Sequence, residues 1–154
     1  MNRKFVLLVC LLVVMVTVVA GCAKSPPPGL KSPAELSKSE IQKVVEIALL
    51  TPEVQEELKK EPVYKADLQW VAIVWRGSEA SELRYFEFNN VQNNPNYQLV
   101  SESAQWYPGV VIHFGEPSKW VIHVAVSLEA GKAVNVLSSP DLSSPGRFPT
   151  PKSQ

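Results

Sequence analysis

The sequence predicts an α+β fold: a bent N-terminal helix packed on an antiparallel sheet of about five or six strands. Three observations carry this reading. Apolar residues recur at helical spacing from Ile41 to Leu58, the pattern changes abruptly to two-residue alternation after Pro62, and turn-forming residues divide the remainder into short apolar runs. One helical region followed by a succession of strands packs as a helix layer against a sheet layer.

The chain opens with a stretch that belongs to neither layer. Asn2, Arg3 and Lys4 are followed by an almost unbroken apolar run from Phe5 to Ala20 and then by small residues, the plan of an export signal. The run is shorter than the ~20 residues a spanning helix needs, and Ser-Pro-Pro-Pro follows it instead of a basic cluster. Val19-Ala20-Gly21-Cys22 resembles the lipobox of bacterial lipoproteins, in which the chain is cut before a cysteine carrying diacylglycerol. That resemblance implies a mature protein beginning at Cys22 and held by lipid on the outer side of the cytoplasmic membrane or in the outer membrane. Two or more acyl chains, at ~0.8 kcal/mol per buried methylene, anchor stably where one does not.

Removing residues 1–21 lowers the 15 Lys and Arg to 13 against 15 Asp and Glu, a net charge of −2. Such a chain has no basic field to gather nucleic acid. Cys10 leaves with the signal, so the folded part has neither a disulfide framework nor a thiol nucleophile. Pro26, Pro27, Pro28 and Pro33 precede the first periodic segment, and Pro140, Pro145, Pro149 and Pro151 follow the last. Residues 22–36 are therefore expected to be a tether reaching roughly 20 to 40 Å, 37–138 the domain, and 139–154 a disordered tail.

Within the domain, Ser37-Lys38-Ser39-Glu40 is a capping box, and Ile41, Val44, Val45, Ala48 and Leu49 form one apolar stripe. Thr51-Pro52-Glu53 restarts a helix, with Thr51 as its cap, giving two short helices or one bent helix in which Val54 and Leu58 extend the stripe. Val63 to Arg76 alternates as a long strand, Gly77 to Ser81 is a turn, Leu83 to Phe88 a second strand and Tyr97 to Trp106 a third. Tyr107-Pro108-Gly109 is expected to break the chain. Val110–Phe114 and Trp120–Leu128 then form a hairpin about Gly115-Glu116-Pro117, and Ala133–Leu137 returns. The helix around Ala48 to Val54, the strand Trp120 to Val126 and the Gly131-Lys132 turn into Ala133-Val134-Asn135-Val136 resemble the PepSY-type modules of exported proteins. The resemblance implies a cystatin-like helix and sheet with a binding or peptidase-inhibitory role, and no catalytic residues.

No serine sits in a nucleophile elbow, and no glycine-rich loop follows a strand. His113 and His123 lie on neighbouring strands. The register that opposes His113 to Lys119 and His123 to Gly109 leaves them about two residue pairs apart, too far to share one ion. No metal or other cofactor is expected. One feature asks for a partner: the odd positions of the first strand turn apolar at Val71, Ile73 and Trp75, beside Val111 and Val121 on the face the helix does not cover. The tail, through Leu142 and Phe148, is the competing cover for that face. The function expected is a non-enzymatic binding or regulatory domain on a membrane surface, acting on an envelope protein or peptidase. The alternative is a cystatin-like domain with a ligand or catalytic pocket over the sheet. Replacing Cys22 with alanine is expected to abolish incorporation of labelled fatty acid, and undiminished labelling would contradict the anchor.

Overall fold

The computed structural model describes residues 25–95, 97–100 and 103–141. Cys22 and the expected signal before it, and the part of the expected tail that holds Leu142 and Phe148, lie outside the described residues. Helix α1 spans Lys38–Leu49 and α2 Pro52–Lys60; the strands are β1 Tyr64–Arg76, β2 Glu79–Glu87, β3 Gln105–Phe114, β4 Trp120–Ser127 and β5 Lys132–Pro140, with a 3-10 turn Val91–Asn93 and a single turn of helix, α3, Tyr97–Val100, between β2 and β3. The strands form one antiparallel sheet in the order β2-β1-β3-β4-β5. Among the described residues no helix is long and apolar enough to cross a bilayer.

Helix α1 begins at the capping box expected for it. The Glu40 amide donates to Ser37 Oγ at 3.3 Å, and the Ser37 amide donates back to the Glu40 carboxylate at 2.8 Å. Two separate helices replace the single bent one. Thr51 has the extended backbone of a cap, but its hydroxyl turns back to donate to the Ala48 carbonyl at 2.7 Å, and the Gln55 side-chain amide donates to the Leu49 carbonyl at 2.7 Å. The first adds to the Thr51 amide already on the Ala48 carbonyl at 3.2 Å and the second serves the Leu49 carbonyl, so the break is stabilised from the α1 side. The expected stripe is the buried one: Val44, Ala48 and Val54 have no exposure and meet Val110, Ile112, Phe114, Ile122, Val124 and Val126 of β3 and β4. Each buried valine is worth about 1.5–3 kcal/mol. Farther along the same sheet face, Trp70, Ala72, Phe86 and Trp106 pack with Val91, Leu36 and Tyr97.

Sequence and structure part company around β3. Tyr97 begins a helical turn where a strand was expected, and β3 then runs without interruption through Tyr107-Pro108-Gly109. Proline is tolerated there because of what its neighbours do. Trp106 exchanges both backbone bonds with Leu30, each at 2.8 Å, whereas β4 pairs with β3 only from Gly109 onward. Ladder bonds alternate sides along a strand, so the missing donor of Pro108 points into the gap between these partners and breaks no bond. Leu30 belongs to the segment expected to be a free tether, so the fold begins earlier than residue 37. It also ends later, since β5 runs to Pro140 and Asp141 is buried.

The β3–β4 turn uses Gly115 to Lys119, closed by the Phe114–Trp120 pair and the Lys119 amide on the Phe114 carbonyl. It takes five residues instead of three. The register accordingly moves by two, which keeps every residue on its expected face but opposes His113 to Val121 and His123 to Val111.

Gly109 is the tightest point of the sheet. A Cβ there would lie 2.4 Å from the Val124 carbonyl oxygen and 3.1 Å from Val71 Cγ2. Gly109→Ala is expected to lower the unfolding free energy by about 2–3 kcal/mol through overpacking. Gly77→Ala meets no atom within 4 Å but sits at φ +64°, and should lose about 1–2 kcal/mol. Urea denaturation of the two variants checks the order; equal losses would show that Gly109 has room to relax.

Candidate functional site

The sheet face away from α1 is where the sequence placed a partner surface, and its geometry is not that of an open patch. Val71 and Ile73 have no exposure, Val121 is 6% exposed, and only Trp75 and Val111 are partly exposed. The reason is curvature. Tyr85 on β2 and His123 on β4 are separated by β1 and β3, three strand spacings or roughly 14 Å in a flat sheet, yet their ring centroids lie 4.3 Å apart. The sheet curls toward this face. Val71, Ile73, Tyr107 and Ala125 become a second core, packed by Trp75, Leu83, Tyr85 and Val134. The five residues expected as a partner surface are mostly the interior of that curl.

Both histidines lie on this face with polar partners. His123 Nδ1 is 3.1 Å from Gln69 Oε1, and Gln69, itself buried, turns its amide toward the Val110 carbonyl at 3.4 Å. With Gln69 accepting, His123 is a neutral ring protonated at Nδ1. Burial pushes its pKa below the ordinary value of 6.5, the nearby His113 adds to that depression, and Asp141 opposes it. His113 Nδ1 lies 3.0 Å from the buried Asp141 carboxylate, while Asp67 lies 3.8 Å from Nε2 and also pairs with Lys65 at 2.9 Å. The imidazoles are diagonal neighbours, closer than the sequence register allowed. Among the described residues no three His, Cys, Asp or Glu converge to hold a metal. The polar groups are instead joined pairwise. Asp141 was missed because it was assigned to the tail, and the roles of Gln69 and Tyr85 depend on a curl that no local pattern encodes.

Among the described residues, Tyr85 Oη and Trp106 Nε1 are buried without a hydrogen-bond partner. Burial also raises the Tyr85 pKa above 10.0. The Trp106 ring is packed between Phe86 and Tyr97, with centroids 5.0 and 5.4 Å away.

A different opening lies where the N-terminal segment crosses the sheet. Tyr107 Oη donates to the Pro27 carbonyl at 2.6 Å, and Ser127 Oγ donates to the Pro28 carbonyl at 2.7 Å. Trp75 Nε1 donates to Tyr107 Oη at 3.1 Å, and Gln105 Oε1 lies 2.6 Å from it as a second acceptor for the same hydroxyl. One hydroxyl proton serves only one acceptor. The Pro27 carbonyl and Gln105 Oε1 therefore share that proton as alternative acceptors. Beside this segment is a cleft of about 280 Å³, lined by Leu30, Leu36, Trp106, Tyr107, Val126 and Leu128, with Glu35, Glu40 and Glu129 among its other residues. It combines an apolar lining with acidic groups.

No known family profile, curated protein or solved structure matches the chain.

The depressed pKa of His123 fixes a pH dependence. Below about 6.5 the unfolded chain takes up this proton before the folded protein does, so stability falls as pH drops from 6.5 and levels off below the folded value. Glu40, whose carboxyl is lowered from 4.5 by the Ser37 side chain and backbone, adds stability that is lost only below 4.5. His123→Gln should therefore flatten the fall in urea midpoint between pH 6.5 and 4.5 relative to the native chain. An unchanged slope would show that His123 is solvated.

Proposed function

We propose that this chain is an exported bacterial lipoprotein, fixed to a membrane through lipid on Cys22, whose PepSY-like domain is a non-enzymatic binding module for an envelope protein. The observation that carries the binding reading is the cleft beside the docked segment. Its apolar lining from Leu30, Trp106, Val126 and Leu128, with Glu35 and Glu129 nearby, suits an extended apolar stretch that carries basic residues. This site takes the place of the patch at Val71, Ile73, Trp75, Val111 and Val121. The pairwise saturation of the histidine network supports a structural role for those side chains.

One observation favours a second reading. A buried carboxylate on one imidazole nitrogen, as Asp141 is on His113, is the arrangement that orients a general base. Asp67 beside the other nitrogen occupies the side where a substrate proton would be taken.

The two readings separate by capture on intact cells. A photo-crosslinking residue at Glu129 should capture an envelope protein, Leu128→Asp should reduce that capture at least tenfold, and His113→Ala should leave it unchanged. Capture that survives Leu128→Asp, or that fails with His113→Ala in a protein that still folds, would overturn the cleft as the binding site.

A further inference from the structure

We infer that the folded domain lies directly against the lipid surface, with the sheet end that carries the Gly77-Ser78 and Glu129-Ala130-Gly131 turns facing it. This rests on the lipid anchor at Cys22. The sequence alone allows a leash from Cys22 to the capping residue Ser37. The structure shortens it, because Pro27, Pro28 and Leu30 are bonded to Tyr107, Ser127 and Trp106. From Cys22 to Pro27 are five Cα steps, a contour of at most roughly 18 Å. The 13 residues of β1 span about 40 Å. A leash less than half the length of the sheet holds the docked end within about 18 Å of the bilayer, while the opposite end has no such bound.

The position of the dock decides which end is near. Trp106 and Tyr107 are at the start of β3 and Ser127 at the end of β4, so the bonded segment is held near the β1–β2 and β4–β5 turns. The Gly115 to Lys119 loop is at the opposite end. Exposed charges near the dock are mixed, with Lys31, Arg76 and Lys132 against Glu35, Glu79 and Glu129. The placement therefore comes from the leash and not from attraction to anionic lipid. The cleft beside the segment also opens within a leash length of the bilayer, so a protein that fills it must present its binding stretch at the membrane surface.

The test uses the lipidated mature protein on phosphatidylethanolamine–phosphatidylglycerol vesicles that carry an energy-transfer acceptor on the headgroups. A donor is placed on Ser78→Cys or on Glu116→Cys, both exposed. Transfer should be severalfold greater from position 78 than from 116. Inserting six Gly-Ser residues after Ala23 should lower transfer at 78, because they more than double a five-step leash; a free fifteen-step leash would respond weakly. Equal transfer from the two positions on bound protein overturns the placement while leaving the anchor intact. Protein that stays off the vesicles, with Cys22 unlabelled by fatty acid, overturns the anchor and the placement together.

Discussion

The structure depends on how β3 finds partners between Trp106 and Gly109. At Gly109 the β4 backbone comes so close that a single added carbon would meet the Val124 carbonyl oxygen. Toward the start of β3, β4 no longer pairs with it, and the buried Trp106 needs another partner for its amide and carbonyl. Leu30 supplies both bonds. One short stretch thus draws the sheet into its curl on one side and ties the N-terminal segment into the fold on the other. The self-packing of Val71, Ile73 and Tyr107 follows from the curl, and the apolar cleft follows from the tie.

Much of the framework was legible because it is written in periodicity. The α1 stripe, the capping box at Ser37, the inward positions Leu68, Trp70 and Ala72 of β1, and the common face of the two histidines all follow from spacing. What could not be read depends on contacts distant in sequence. Pro108-Gly109 has the composition of a turn and becomes strand interior only because Leu30, more than seventy residues earlier, takes the place of β4. Pro27 and Pro28 have the composition of a linker, and their carbonyls are held by hydroxyls from β3 and β4. The partner surface failed for the same reason: alternation shows that Val71 and Ile73 share a face, but not that the face closes on itself.

The same facts bear on function. A domain whose second face is an interior core has less open surface than an idealised helix-on-sheet layer, and its cleft lies at the seam where a proline segment meets the sheet ends. Proline suits that seam, since Pro27 and Pro28 offer carbonyls to side chains while bringing no donors that would need partners of their own. The segment is a wall of the cleft and, under the proposed lipidation of Cys22, also the last part of the anchor. A protein bound in the cleft would touch the residues that set the distance between domain and lipid, so that binding and membrane placement share one structural element.

The most direct test of this account is amide hydrogen exchange at Leu30 and Trp106 in the mature protein. If the segment belongs to the fold, both amides should be protected to a degree comparable with their neighbours in β3, and Tyr107→Phe with Ser127→Ala should speed Leu30 exchange more than that of Ile112. Exchange of Leu30 at the rate of an unstructured peptide, with β3 still protected, would contradict it: the segment would then be a free tether.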